Sequence, residues 1–526
     1  MLKADIQFSD FDAPATLVGG VVFLGSSTLA PISHRMLRSE VTESESFLAL
    51  ASFERFAGDP SGLGYRRAPD DETLLAEAHA RRNHVLDWSC LIVDRKQRAL
   101  RYCSSFIASV PVFAFADARR ATIDWDYSRL LEGRAVEIDW PAAMAHLAGT
   151  ATYSPRTMVR GLCRSTAGAE LTLRSGSIEA RLPEPSSLPG PRRLAKGVTP
   201  EQLLLETVKD LIAARPVERD RTAVEISGGM DSGLVSIAAA ELLGPGLLST
   251  GAQFRGAMGK AQRERRRLLC ERGRFDDLEL PAERFHPFSP SSRRRLRFGV
   301  WPQDESYPEI FEAFFSVLAR AGIDTLLSGF GGDELYPLYV GEEGSEDGAS
   351  VAAESGYLTP LGSELAAEAA QPYPQGPLQE TSWQSAASRA QRLLRHGIWP
   401  VYPYHSPQLA SFVAALPWEY RQDRRLLRNA LTARLAVPIF ESDYEKENFR
   451  EVAAKGVTEQ RDYLSGVVCR SKLLRPDLVD RDRVLADLEG GAESLPDERF
   501  NALFALLTAC CFFDEDPRDA AQASAE

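Results

Sequence analysis

Ala223-Val224-Glu225-Ile226-Ser227-Gly228-Gly229-Met230-Asp231-Ser232 is the stretch on which the reading of this chain turns. Its first four residues read as a short apolar strand, and Gly233 through Leu243 reads as a helix. Between them, glycines let the backbone approach an anion closely, and the free N–H groups of the helix start point at it. Ser227 and Ser232 add hydroxyl donors, and Asp231 is placed to hold a divalent cation against the same phosphates. Strand, small-residue turn and helix together make a pyrophosphate cradle from Ser227, Gly228, Gly229, Asp231 and Ser232. No Gly-x4-Gly-Lys-Ser/Thr run occurs, so this is not a Walker A loop.

Further along comes Asp324-Thr325-Leu326-Leu327-Ser328-Gly329-Phe330-Gly331-Gly332-Asp333-Glu334-Leu335, again a short strand running into a glycine turn that ends in carboxylates. Either segment alone is as consistent with a structural turn. Two carboxylates at the mouths of two strands can share one or two Mg2+ ions over a triphosphate. In this order and spacing, the two segments resemble the synthetase domain of the asparagine synthetase family, whose pyrophosphate loop belongs to the ATP pyrophosphatases. The resemblance implies ATP and Mg2+ as cofactors and cleavage of ATP to AMP and pyrophosphate. It also implies nucleotide contacts at Ser227 to Ser232, Gly329, Gly331 and Gly332, and metal ligation by Asp231 and Asp333.

A third matching run is Pro438-Ile439-Phe440-Glu441-Ser442-Asp443-Tyr444-Glu445-Lys446-Glu447-Asn448-Phe449. In amide-forming members of the family a lysine here stabilises charge as the amine attacks, which implies that role for Lys446. Tyr444 stands where the family usually has an arginine. The plainer reading of Lys446 is a solvated surface lysine. The resemblance spans residues 195 to 470.

The expected fold class is α/β. Residues 1–182 read as mostly β, with strands over 17–24, 90–94 and 111–115 and a helix over 73–82. Four prolines within 182–192 mark a linker, taken as 183–194. From 195 to 513, helical patterns alternate with short apolar strands, which predicts a parallel sheet covered by helices. Ligands in such sheets bind outside the carboxyl ends of the strands, where both glycine turns belong. The acidic, glycine-rich run 340–350 reads as a loop, either a lid or a solvated excursion, and 514–526 as a disordered tail.

At 526 residues and a net charge of −13, the chain has room for two domains and lacks the basic balance of a nucleic-acid binder. Two basic runs, 263–267 and 293–297, read as solvated helix faces or as a rim attracting ATP or an acidic substrate. Seven scattered cysteines support neither a disulfide framework nor a zinc site. No signal peptide and no apolar run of membrane-spanning length is seen, so the expected location is cytoplasmic.

Two departures from the family narrow the activity. Its glutamine-dependent members carry a nucleophilic cysteine directly after the initiating methionine, where this chain has Leu2. The resemblance therefore implies a degenerate glutaminase domain of the N-terminal-nucleophile type, which keeps the layered β fold without the chemistry. In asparagine synthetases a glutamate precedes the Gly331-Gly332-Asp333 turn. Phe330 stands there and can neither accept a hydrogen bond nor act as a base. β-Lactam synthetases use a tyrosine at that point, paired with a glutamate. Glu364 is a candidate for such a partner by chain distance, or simply an exposed helical glutamate.

The layout is most similar to that of the lasso-peptide cyclases. This implies an ATP-dependent carbon–nitrogen ligase of natural-product biosynthesis that closes a macrolactam through an acyl-adenylate. Its partner would be a peptide or small-molecule carboxylate bearing its own amine, presented with or without a leader peptidase or peptide-recognition protein. A β-lactam-type synthetase, an ammonia-using asparagine synthetase and a nucleotide-binding pseudoenzyme are the rival readings.

Overall fold

The computed structural model describes residues 1–150, 153–304, 306–337, 339, 342, 356–370, 372–440 and 448–514. Lys446, the acidic run apart from Glu342, and the tail beyond Asp514 lie outside the described residues. Asp514 itself belongs to the folded part: it is buried and takes two hydrogen bonds from the Arg470 guanidinium, at 2.9 and 2.6 Å.

Residues 2–181 build two seven-stranded sheets. In the first, Leu2–Gln7 lies antiparallel between Ser27–Pro31 and Arg120–Asp124. Its residues alternate, with Leu2, Ala4 and Ile6 turned inward, as the two-residue period of a strand requires. They share one apolar core with Leu48, Leu50, Leu91 and Val93 of the second sheet, so the sheets form a sandwich. In that second sheet Phe47–Glu54 pairs with Leu37–Glu43 and Trp88–Asp94. All eight residues of Phe47–Glu54 are buried, because the helix Asp71–Ala80 packs on the face turned away from the sandwich core. The single strand expected over 17–24 is instead a hairpin, Ala15–Val18 with Val21–Leu24. Gly19 and Gly20 both take positive φ in its two-residue turn.

No helix or strand interrupts residues 182–199. The segment is nevertheless tied down, since Ser186 N–H donates to Gln375 O and Arg192 N–H to Ala415 O, both at 2.8 Å.

Beyond it lies a five-stranded sheet in the order Asp276–Pro281, Leu248–Gln253, Thr222–Glu225, Thr325–Leu327, Trp399–Val401, with every neighbouring pair parallel. Both faces are covered. Val224 and Leu327 pack against Met230 and Leu234, whereas Ala223 and Leu326 pack with Phe314 and Phe315. The chain starts in the middle, winds outward to one edge, then returns to build the other. That reversal places a topological switch point between Thr222–Glu225 and Thr325–Leu327, where open α/β sheets leave a crevice at their carboxyl ends.

The sandwich is keyed to this sheet by buried charge. Arg35 Nε donates to both Asp324 carboxylate oxygens at 2.9 and 2.8 Å. Glu54 takes Arg215 at 2.7 Å and the Trp399 indole N–H at 2.8 Å.

The basic runs correct a sequence expectation. Gln262, Arg265, Arg266 and Leu269 share one face of the helix Gly256–Gly273, and that face is buried. Arg266 is 0% exposed and gives both Asp277 oxygens a hydrogen bond, at 2.6 and 2.7 Å, from the edge of the sheet. Arg294 is also buried, on Glu309 at 2.9 Å and Thr508 at 2.8 Å. Only the remaining members of each run face solvent to any extent. Carboxylates reaching in from other elements make these burials tolerable, and no local pattern announces them. Among the described residues no helix is long and apolar enough to cross a membrane.

Candidate active site

Both glycine turns leave the carboxyl ends of the two strands that flank the switch point. Ile226 N–H still bonds Thr250 O at 2.8 Å and Ser328 N–H bonds Val401 O at 3.1 Å, so each turn starts from a fixed strand end. The first turn is braced internally. Ser232 Oγ accepts from Ser227 N–H and Ser227 Oγ accepts from Gly229 N–H, each at 3.1 Å. Its carbonyls are held from behind by the buried face described above. Gln262 Nε2 donates to Ser227 O at 2.7 Å and Arg265 Nε to Gly228 O at 2.8 Å. Gly229 caps the helix Met230–Leu243, whose first-turn N–H groups have no acceptor within the helix. With the carbonyls anchored behind, those donors and the positive end of the helix dipole form an anion cradle.

The second turn packs directly on the first. A Cβ on Gly329 would lie 2.4 Å from Ser232 N, and one on Gly332 would lie 2.3 Å from Asp231 Oδ1. Only hydrogen at these two positions lets the turns touch. Their contact brings Asp231 and Asp333 onto a single nitrogen: Arg424 Nη1 donates to Asp231 Oδ2 at 2.9 Å and also to Asp333 Oδ1. Asp231 is largely buried, and Tyr404 Oη donates to its main-chain oxygen at 3.0 Å. Burial, followed by the Asp231 charge, pushes the Tyr404 and Tyr336 hydroxyls well above their ordinary pKa, so both stay protonated donors. Burial, reinforced by the Asp333 charge, raises the Glu334 carboxyl as well.

The cleft these groups bound holds about 400 Å³. One wall is aromatic: Phe254 meets Phe449 edge to face with ring centroids 4.7 Å apart, and Phe449 stacks on Tyr307 at 4.2 Å. In the same cleft, Glu225 accepts from Arg389 Nη1 through both oxygens, at 2.9 and 2.8 Å, and from Ser328 Oγ at 2.9 Å. The Arg389 guanidinium lies 3.7 Å from the Phe311 ring centroid and 4.1 Å from that of Phe330, a cation held between two aromatic faces.

Of the residues singled out by sequence, Ser227, Gly229, Asp231, Ser232, Gly329, Gly331, Gly332 and Asp333 all line this one cleft. Gly228 is part of the turn, with its carbonyl facing Arg265 rather than the cleft. Lys446 lies outside the described residues, although Phe449 of the same run lines the cleft. Glu364 is exposed on the helix Pro360–Ala369 and does not reach the cleft. The sequence reading passed over Glu225, Arg389 and Arg424. Glu225 carries a readable signal, an acidic residue closing an apolar strand, but the two arginines carry none.

The donor set bears on whether the cleft suits an Mg2+–nucleotide. Two carboxylate oxygens converge on one cationic nitrogen, and the same two oxygens could serve as part of the oxygen shell of a hard divalent cation. Among the described residues no group of three or more His, Cys, Asp or Glu could hold a metal by itself. A metal here would thus complete its shell with phosphate oxygens and water, as Mg2+ in phosphoryl sites does. No family model matches this chain, and no curated protein matches it.

Proposed function

We propose that this chain is an ATP-dependent carbon–nitrogen ligase similar to asparagine synthetases, which activates a carboxylate as its acyl-adenylate and closes a macrolactam with an amine of the same substrate. In this reading residues 1–182 are a degenerate N-terminal-nucleophile glutaminase-like domain and residues 195–513 the ATP-pyrophosphatase-type synthetase. The observation that carries the proposal is the convergence of Asp231 and Asp333, one from each glycine turn, at the switch point of a parallel sheet. Bound there, ATP would supply an electrophilic α-phosphorus and Mg2+ would neutralise charge on the departing pyrophosphate.

The chain's own residues do the rest. The first-turn N–H groups of Met230–Leu243 would hold the pyrophosphate end, and Asp231 and Asp333 would hold the Mg2+. The aromatic wall of Phe254 and Phe449 suits a planar base. Phe330 leaves the acceptor side without a carboxylate at that position, which suits a substrate that brings its own amine over free ammonia. Lys446 is assigned the stabilisation of charge during ring closure.

ATP–pyrophosphate exchange tests this, run with peptides that carry a free N-terminus and an internal Asp or Glu. Free aspartate and N-carboxyalkyl amino acids serve as comparison substrates. Peptide-dependent exchange that Asp231→Asn abolishes and Lys446→Ala spares, with product formation slowed in the latter, is the expected result. Exchange confined to the small acids would replace the macrolactam assignment with a lactam or asparagine synthetase. No exchange with any substrate would leave a nucleotide-binding pseudoenzyme and a narrowly specific cyclase as the two readings.

A further inference from the structure

Cys90 and Cys103 stand directly opposite each other in the second sheet, where Trp88–Asp94 pairs antiparallel with Ala99–Ser104. Directly paired residues point to the same face of a sheet. Here that face is the outer one: Cys90 belongs to the small apolar core under the helix Asp71–Ala80, and Cys103 packs against it. The Cys103 thiol donates to Cys90 O at 3.9 Å, and both cysteines are free.

The register sets their spacing. Ser105 N–H bonds Trp88 O at 3.0 Å, two positions along the same ladder. Hydrogen-bonded pairs recur at every second position of an antiparallel ladder, so Cys90 and Cys103 form one too, with Cα atoms about 5.5 Å apart. Residues joined by a disulfide have Cα separations of about 4.4–6.8 Å, so a bridge between these two strands needs no large movement of either.

Access to the two thiols differs. Cys90 is 1% exposed, whereas Cys103 is partly exposed and lines a cavity of about 700 Å³ between this sheet and the segment 182–186. That cavity shares no residue with the candidate active cleft. A small oxidant in the cavity therefore meets Cys103, with Cys90 behind it. The hydrogen bond from the Cys103 thiol lowers the Cys90 pKa against the opposing effect of burial, and the Arg81 and Arg82 charges add to that lowering. The inner sulfur is thus suited to attack the outer one.

We propose that Cys90 and Cys103 are a reversible oxidation site, at which hydrogen peroxide entering this cavity converts the two thiols into a cross-strand disulfide. The Cys103 sulfur attacks one peroxide oxygen and the O–O bond breaks. Its thiol proton leaves with the departing hydroxide as water, and a sulfenic acid remains. The Cys90 sulfur then attacks Cys103 Sγ, the S–O bond breaks, and the Cys90 proton leaves with hydroxide as a second water. The two sulfurs lose the electron pair that the peroxide gains. Cβ atoms of a hydrogen-bonded pair stand about 5.5 Å apart, against about 3.8 Å in a relaxed disulfide. The bridge consequently pulls the strands together and is readily reopened by thiols. The site stands apart from the function proposed for the cleft.

The test is peptide mass spectrometry of the full chain, alkylated under denaturing conditions before and after exposure to peroxide. The expected product is a peptide pair joined through Cys90 and Cys103, lighter by two hydrogens, which reduced glutathione returns to two thiols. Cys469, the exposed thiol, reports in the same sample that the oxidant acted. Cys90→Ser should leave Cys103 as a sulfenic acid that dimedone traps. Cys103→Ser should leave Cys90 an unmodified thiol, because the oxidant reaches only the outer position. Oxidation of Cys469 with Cys90 and Cys103 both still thiols would overturn the proposal, as would Cys103 joined to any other cysteine. A Cys90–Cys103 bridge that reduced glutathione does not reopen would overturn its reversibility and make it a structural disulfide.

Discussion

Asp231 and Asp333, which sit in separate turns, are held together by one guanidinium nitrogen of Arg424. Arg424 and Asp423 both have positive φ, 53° and 48°, a conformation that non-glycine residues adopt rarely. The chain thus tolerates local strain at the point where it aims this cation at the carboxylate pair.

Removing that cation leaves two carboxylates facing each other. Because Asp333 is more than half exposed, solvent screens part of the loss. Arg424→Gln is expected to lower stability by about 1–2 kcal/mol in the presence of a chelator, with added Mg2+ restoring most of it. Urea denaturation with and without Mg2+ measures this. A deficit of the same size under both conditions would remove the carboxylate pair from any metal site.

The close approach of the two turns makes a steric prediction. Gly329→Ala and Gly332→Ala place a methyl group against Ser232 N and Asp231 Oδ1, and the main chain must separate to admit it. Pyrophosphate exchange should fall by roughly 100-fold in each, since a displacement of about 1 Å in a reacting geometry costs that much. Gly190→Ala, where a Cβ would meet nothing within 4 Å, should be silent.

Neighbouring arginines in one basic run should behave oppositely. Arg266→Ala removes a fully buried guanidinium and its two hydrogen bonds to the partly exposed Asp277, and is expected to cost about 2–3 kcal/mol. Arg267, one residue on, pairs only with Glu264 and Glu271 on the exposed side of the helix, and its alanine variant should leave the denaturation midpoint where it was. Equal losses in the two would contradict the burial of Arg266.

Acid stability should depend on His405, which is 0% exposed and packed behind Gly331. Burial lowers its pKa to about 4, so the folded protein keeps it neutral where an unfolded chain, titrating near 6.5, already binds a proton. The folded state then holds fewer protons between those two values. Stability is complete above about pH 6.5 and declines as pH falls towards 4, by roughly 3 kcal/mol in total from this one group. His405→Gln should flatten the acid limb of the stability–pH curve by about one proton over that window. An unchanged slope would place the titration elsewhere.

The two glycine turns were legible in the sequence because each is one contiguous stretch, a strand end running into a turn whose residues lie a few positions apart. The parallel sheet followed from the alternation of helical and strand periods. The hairpin at Gly19-Gly20 was missed because apolar residues run on through both of its strands and hide the turn between them. Tertiary structure alone decided which charges serve the site. Arg424 reaches Asp231 from 193 residues away, and Arg389 reaches Glu225 from 164. Tertiary structure also decided that Arg265, Arg266 and Arg294 lie inside the protein when their sequence context reads as solvated helix. A buried charge is permitted only by the partner that arrives opposite it, here Gly228 O, Asp277 and Glu309, and that partner is fixed by strand order and helix packing rather than by anything written beside the charge itself.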